Sequence, residues 1–272
     1  MRTEDNTLLV LKVGERDNVQ SLRGGTVWFS TIETFIKTDV EQGNPERGDR
    51  YEGVFARLLC GDPRIAEMKR ELGKDLELIP DDAYYLLRRK SSRSVHAFCC
   101  FGVKAYNVPL QPDTITFVDG TMKGEGNLII PERMRDNFLQ GTRDSQVEPW
   151  FFCASPRHFF DAIEKKLKEE NLRCKVVRVV YDIDIGSPFF IDPIGNDKNA
   201  AEYVELRHKR RELAYQQETR ILLFDQPVVG KGMPVSVEPI STHSAWAGAF
   251  SSVDRIILRG TVGRDSQKLM PL

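Results

Sequence analysis

The apolar positions of this chain fall into short continuous runs, broken by polar turns and by one long helical stripe. That mixture predicts an α+β fold. Leu8-Leu9-Val10-Leu11-Lys12-Val13 is a short apolar run of the kind a buried strand shows. Asp17 to Leu22 has room for two helical turns with Asp17 as N-cap, Gly24-Gly25 ends them, and Val27-Trp28-Phe29 resumes as a strand. Residues 38 to 53 are polar and glycine-rich, closing in Arg47-Gly48-Asp49-Arg50-Tyr51-Glu52-Gly53, and are expected to form a long loop. Asp62-Pro63 is an N-cap followed by proline at the first helical position, with Ile65, Met68 and Leu72 at helical spacing up to Gly73.

Val95 to Val103 is nearly continuous in apolar residues and predicts a central strand. Ile115 to Val118 and Leu128 to Ile130 bracket glycine-rich turns, as in a hairpin or meander. The clearest helix runs from Ser155 to about Asn171, where Phe159, Phe160, Ile163 and Leu167 make one stripe and Glu164, Lys165, Lys166, Lys168 and Glu169 face water. Val176 to Tyr181 then predicts a strand, Asn199 to Leu213 a helix with a charged exterior, and Arg220 to Phe224 and Val253 to Leu258 two more strands. No repeat or linker-like stretch divides the chain, so 1–272 is expected to be a single domain.

Charge changes the picture mainly by exclusion. The net charge is −1, so bulk electrostatics recruit neither nucleic acid nor an anionic membrane, and a polyanion needs a local patch. Two basic runs are candidates, Arg88-Arg89-Lys90 and Arg207-His208-Lys209-Arg210-Arg211. Such a run is most often a solvated helix face. The second one lies just before the polar strand entry Gln216 to Arg220, which makes Arg207 to Arg211 a candidate for phosphates of a cofactor or of an RNA or DNA acceptor. The cysteines Cys60, Cys99, Cys100, Cys153 and Cys174 form no C-x-x-C pair and are expected to be reduced. The four histidines are scattered without metal-ligand spacing, so no metal ligands are assigned. No apolar run approaches a membrane span and the N-terminus has no apolar signal core, so a cytoplasmic location is expected.

The chemistry-bearing stretch is Gln216-Gln217-Glu218-Thr219-Arg220. On a strand, Gln216, Glu218 and Arg220 would share one face, with Leu222 and Phe224 continuing that face into the core. The arginine would keep the carboxylate ionised. Taken alone, the spacing describes an ion pair that blunts a strand end.

Several stretches in order resemble uncharacterised bacterial proteins of the DUF2971 type, which are associated with phage defence and toxin–antitoxin genes. They are Leu11-Lys12-Val13, Gly25-Thr26-Val27-Trp28-Phe29 with Phe35, Arg47-Gly48-Asp49 with Glu52-Gly53, Phe98-Cys99-Cys100-Phe101, and Tyr215-Gln216-Gln217-Glu218-Thr219-Arg220. The resemblance covers roughly residues 8 to 225. The same order is similar to that of ADP-ribosyltransferases, which implies a mixed β core with peripheral helices and NAD as cofactor. It further implies Glu218 as the catalytic carboxylate and Gln216 as the residue that orients the acceptor. Lys12 becomes the first-strand cation, Ser30 or Thr31 a supporting hydroxyl, Arg47 and Asp49 loop contacts, and Arg220 a further cofactor contact. Lys12 stands where that arrangement carries arginine or histidine, and no S-T-S occurs in the middle. An antitoxin protein is the partner such a family implies.

The sequence is compatible with three readings. The first is ADP-ribosyl transfer from NAD to a nucleic acid or protein acceptor. The second is a metal-dependent nuclease with Asp182, Asp184 and Glu218 as ligands and Arg220 on the phosphate. The third is a non-catalytic binding or regulatory module in which Glu218 and Arg220 form a structural ion pair.

Overall fold

The apolar run around Phe98 is buried and paired along both of its edges, as its lack of polar alternation requires. The computed structural model describes residues 7–42, 48–118, 121–136, 148–194, 202–227, 232–239 and 245–262. The first strands in chain order are β1 (Thr7–Gly14), β2 (Thr26–Thr31), β3 (Val54–Leu59), β4 (Leu76–Asp81), β5 (Tyr84–Arg89) and β6 (His96–Lys104). They are followed by β7 (Thr116–Val118), β8 (Thr121–Asn127), β9 (Trp150–Ala154), β10 (Cys174–Arg178), β11 (Val180–Ile183) and β12 (Phe189–Phe190). The last are β13 (His208–Arg210), β14 (Glu218–Leu223), β15 (Gly232–Ser236), β16 (Ala245–Ala249) and β17 (Ile257–Val262). The helices α1 (Arg16–Arg23), α2 (Ile32–Gln42), α3 (Pro63–Leu72) and α4 (Pro156–Glu169) accompany them. The class is α+β with antiparallel sheets, and among the described residues no helix is long and apolar enough to cross a membrane.

The chain divides into two compact units. One comprises 1–24, 102–160 and 239–272, and the other 25–101 and 161–238. In the first, β1, β9 and β16 form an antiparallel sheet with β9 in the middle, and β7, β8 and β17 form another. Helix α1 lies on the first of these and buries Val19 and Leu22.

The second unit holds an antiparallel sheet in the order β10-β14-β6-β2-β15. On one face of it Ala97, Val177, Leu222 and Phe224 pack with Ile32 and Ile36 from α2 and with Leu206. Each large apolar side chain buried there contributes roughly 1.5–3 kcal/mol. A second sheet, β12-β3-β5-β4, packs Phe55, Leu58 and Leu87 against Ile65 and Met68 of α3. That helix starts as its sequence predicts: the Asp62 carboxylate accepts the Arg64 N–H at 2.9 Å, Pro63 occupies the first turn, and Gly73 ends it at φ 53°. Strands β11 and β13 form a parallel pair in which Tyr181 lies beside Lys209.

Several expectations need correction. Helix α2 reaches Gln42, so the polar stretch from residue 38 begins as helix, held by the apolar contacts of Ile32 and Ile36. Glu15, not Asp17, precedes α1, and Asp17 sits in its first turn. Leu128 to Ile130 is no strand; the glycine-containing stretch before it, expected to be turns, is strand β8 (Thr121–Asn127), which pairs with β7. Val176 to Tyr181 is two strands, because the Val179 N–H turns aside to donate to the Glu218 carbonyl. Val253 to Arg255 closes a 3₁₀ turn, and the strand starts only at Ile257.

The largest correction concerns Asn199 to Leu213. Residues 199–201 lie outside the described residues, and from Val204 the chain forms a 3₁₀ turn (Val204–Arg207), strand β13 and a second 3₁₀ turn (Arg211–Gln216). No helix forms because the charged side chains of this stretch have partners elsewhere in the fold.

The loop after α2 returns over that helix with almost no clearance. A Cβ at Gly48 would lie 2.3 Å from the Phe35 carbonyl oxygen and 2.5 Å from the Asp39 nitrogen. Beyond it, the Asp49 N–H donates to the Phe35 carbonyl and the Arg50 N–H to the Asp39 carboxylate. Gly48→Ala is therefore expected to lower stability by roughly 1–3 kcal/mol. Urea denaturation of variant and wild type measures it, and equal midpoints would mean that the loop does not sit this tightly.

Candidate functional site

Three stretches that stand far apart in the sequence meet in the second unit: the loop 48–53, strand β13 and the start of β14. Together they bury three carboxylates, Asp49, Glu52 and Glu218, with three cations, Lys209, Arg210 and Arg220. Arg220 is 1% exposed. Its Nε donates to Glu218 Oε1 at 2.5 Å, its Nη2 to Glu52 Oε2 at 2.8 Å, and its Nη1 to the Leu206 carbonyl at 2.8 Å. Lys209 Nζ donates to Glu218 Oε2 at 2.7 Å and lies 3.7 Å from Glu52 Oε2. Arg210 Nε stands 3.1 Å from Asp49 Oδ1, a charge contact without hydrogen-bond geometry, and Arg210 Nη1 also bonds Glu212.

Each piece has a local reason to be there. The Asp49 carboxylate accepts the Tyr51 N–H at 3.0 Å, and its carbonyl accepts the Glu52 N–H, so the loop winds into a tight turn that aims Glu52 inward. From the side, Arg88 Nη2 holds the Arg50 carbonyl. Arg89 grips Glu205 in a bidentate pair at 2.7 Å on both arms, which fixes the 3₁₀ turn supplying the Leu206 carbonyl. At the start of β14 the Glu218 N–H donates to the Tyr181 hydroxyl at 2.8 Å.

The electrostatics follow from burial and pairing. Burial would raise the Glu218 pKa, but the charges of Arg220 and Lys209 and the hydrogen bonds to the carboxylate hold it well below the usual range. Burial likewise opposes the Lys209 and Arg220 charges, and the surrounding carboxylates outweigh it, so both stay charged. Asp49 goes the other way. Burial, with the Glu52 charge close by, pushes its pKa up to about 6 against the pull of Lys209 and Arg210. Tyr181 is raised by burial and by the nearby Glu218 charge, so it remains protonated.

Of the residues singled out from sequence, Glu218, Arg220, Gln216 and Asp49 do meet here. Gln216 arrives differently from the expectation of a shared strand face. It ends a 3₁₀ turn, and Gln217 after it takes a left-handed conformation (φ 41°, ψ 46°) before β14 begins at Glu218. Its Oε1 still reaches Lys209 Nζ at 3.2 Å, at the half-buried rim of the cluster. Thr31 caps α2, accepting the Thr34 N–H and sharing a hydrogen bond with the Thr34 hydroxyl. Ser30 lies beside it in β2. Lys12 lies on β1, in the other unit, paired with Phe152. Arg47 lies outside the described residues.

The run Arg207 to Arg211 is not the continuous basic surface that a polyanion would need. Lys209 and Arg210 are buried in the cluster, His208 Nδ1 contacts the Asp182 carboxylate at 2.8 Å, and Arg211 is exposed. The nuclease ligands expected from sequence are also engaged separately. Asp182 belongs to His208, while Asp184 accepts hydrogen bonds from the Gly186 N–H and the Ser187 hydroxyl of its own turn. Among the described residues no three His, Cys, Asp or Glu side chains are grouped to hold a metal. Sequence reasoning missed Glu52, Lys209 and Arg210 as members of the site. Glu52 is visible as the glutamate of Arg47-Gly48-Asp49-Arg50-Tyr51-Glu52-Gly53, but nothing local says which cation it meets.

Removing the central cation leaves the buried Glu52 and Glu218 carboxylates sharing Lys209. Arg220→Met is expected to cost roughly 3–5 kcal/mol, more than Glu218→Gln, as read from urea midpoints. The Asp49 proton gives a separate signature. The folded state binds it below about pH 6 and the unfolded state only below the ordinary value of 3.8, so stability from this group falls as pH rises between those values. Relative to Asp49→Asn, wild type is therefore expected to lose stability from about pH 4.5 towards 6 and then level off. A difference independent of pH would place Asp49 in water.

No protein-family model, no curated protein and no solved structure matches this chain.

Proposed function

We propose that this chain is a binding or regulatory module in which the Asp49–Glu52–Lys209–Arg210–Glu218–Arg220 centre is structural. One observation carries the reading: Glu218 is 6% exposed, and both of its carboxylate oxygens are bonded, Oε1 by Arg220 and Oε2 by Lys209. A carboxylate that stabilises a ribosyl cation acts by standing preorganised against it. Here that face of Glu218 is turned to two cations, and releasing it would break a buried ion pair on each oxygen.

A second reading has one observation in its favour. Asp49 and Glu52 of the loop and Glu218 and Arg220 of the strand, which belong to separate stretches of the likeness to DUF2971-type proteins and ADP-ribosyltransferases, converge on one centre. On this reading the fold is ADP-ribosyltransferase-like, NAD is the donor, Glu218 the catalytic carboxylate and Gln216 the acceptor-orienting side chain. The protein would then be a toxin or phage-defence effector with an antitoxin partner. Its acceptor would not be held by Arg207 to Arg211 as a block, since Lys209 and Arg210 face inward.

Incubating the purified protein with labelled NAD and a mixture of cell RNA, DNA and protein separates the two. The module reading expects no transferred label and no NAD loss, together with a clear fall in melting temperature for Glu218→Gln. Label transferred by wild type and not by a folded Glu218→Gln variant would replace it with the transferase reading.

A further inference from the structure

The unit built from 1–24, 102–160 and 239–272 has a cleft of its own. It opens between the end of β8 and the 3₁₀ turn Phe250–Arg255, and its volume is about 520 Å³, the size of a small-molecule site. Backbone bonds hold its walls. The Leu128 N–H donates to the Ile256 carbonyl at 3.0 Å, the Ile129 N–H to the Asn107 carbonyl at 2.7 Å, and the Phe250 N–H to the Pro149 carbonyl at 2.8 Å.

The polar groups on those walls are mostly donors. Arg135 comes from the helical stretch 132–136, and Arg255 ends the 3₁₀ turn. Arg135 Nη1 lies 3.6 Å from Asp254 Oδ2, too far for a hydrogen bond, with the two side chains 38% and 48% exposed. So open a pair contributes little, and the guanidinium can exchange it for another anion at small cost. Arg255 is exposed and, among the described residues, has no carboxylate partner. Asn127 Oδ1 accepts from the Gln111 amide at 3.1 Å, which leaves the Asn127 amide nitrogen as a donor. Ser251 adds a hydroxyl, and Ile129, 52% exposed, adds an apolar surface.

We propose that this cleft binds a small organic carboxylate, its charged head between Arg135 and Arg255 and its apolar body on Ile129. Guanidinium forks match the two oxygens of a carboxylate. Asp254 is an internal precedent, a carboxylate already standing against Arg135. The same residue argues against a phosphate ester or a nucleic acid. Asp254 and Glu148, whose carboxylate accepts the Ser251 N–H at 3.2 Å, repel any further negative charge on the ligand. The inference holds whether the buried centre of the other unit is structural or catalytic.

NMR titration of the full chain with benzoate tests it, beside benzamide, which has the same ring without the charge, and inorganic phosphate. Wild type is expected to bind benzoate saturably with Kd on the order of millimolar, and the other two probes at least about tenfold more weakly. Arg255→Gln, at an exposed position, should weaken benzoate about tenfold or more with an unchanged circular dichroism spectrum. Asp254→Asn removes the competing carboxylate and should tighten benzoate several-fold, a gain that damage to the fold would not produce. Benzoate that fails to saturate up to about 50 mM overturns the assignment, as does phosphate binding as tightly as benzoate, or benzoate binding that neither substitution changes.

Discussion

The Arg220 guanidinium is the constraint on which the second unit depends. It is buried to 1% exposure, and removing such an ion from water costs several kcal/mol unless every donor finds an acceptor. Its acceptors come from three places: Glu218 two residues earlier on the same strand, Glu52 in the loop after α2, and the Leu206 carbonyl in a 3₁₀ turn. None of them can be absent without stranding a charge. The loop, the turn and the start of β14 are therefore fixed together, and their own supports follow from that need. Gly48 lets the loop cross α2, Arg89 fixes the turn through Glu205, and Lys209 takes the second oxygen of Glu218.

This dependence explains which parts of the fold were legible from sequence. β1, β6, α3 and α4 announce themselves because their burial is a matter of local pattern, either a continuous apolar run or a stripe at helical spacing. The stretch 204 to 216 has no such pattern. Its density of Lys, Arg and Glu favours helix locally, yet Lys209 and Arg210 are drawn into extended backbone by carboxylates of the 48–53 loop and of β14. Local preference lost to partners that only the folded chain brings near. The period-two expectation failed at Gln216 for a narrower reason: Gln217 adopts a left-handed conformation, and one such residue resets the face on which its neighbour points.

The site itself was half legible. Glu218 and Arg220 were readable because two residues on one strand fix their own geometry. Asp49 and Glu52 were visible as polar residues of a glycine-flanked loop, but the residues they bind were not, since the Arg220–Glu52 contact spans 168 positions. Lys209 and Arg210 were hidden by their setting in a basic run, which from sequence alone is most simply a solvated face. Near-equal totals of 39 basic and 40 acidic residues give no hint that a balanced set of them is interior.

Replacing a buried ion-pair network by apolar side chains is often neutral or stabilising, so burial energy alone does not account for this one. What the network supplies is direction. The loop 48–53 and the turn 204–207 are too short to carry a periodic apolar stripe, and hydrophobic contacts would bring them inward without fixing their register. Bonds between named atoms of Arg220, Glu52 and Glu218 do fix it, because each guanidinium donor admits only a narrow angle. The same logic bears on Asp49, whose carboxyl lies between a directed hydrogen bond from Tyr51 and an undirected contact with Arg210. Its charge is less well compensated than that of Glu218, and that is why its pKa is raised while that of Glu218 is lowered. The carboxylate whose pKa is raised thus sits in the loop 48–53, and the one whose pKa is lowered sits in the sheet.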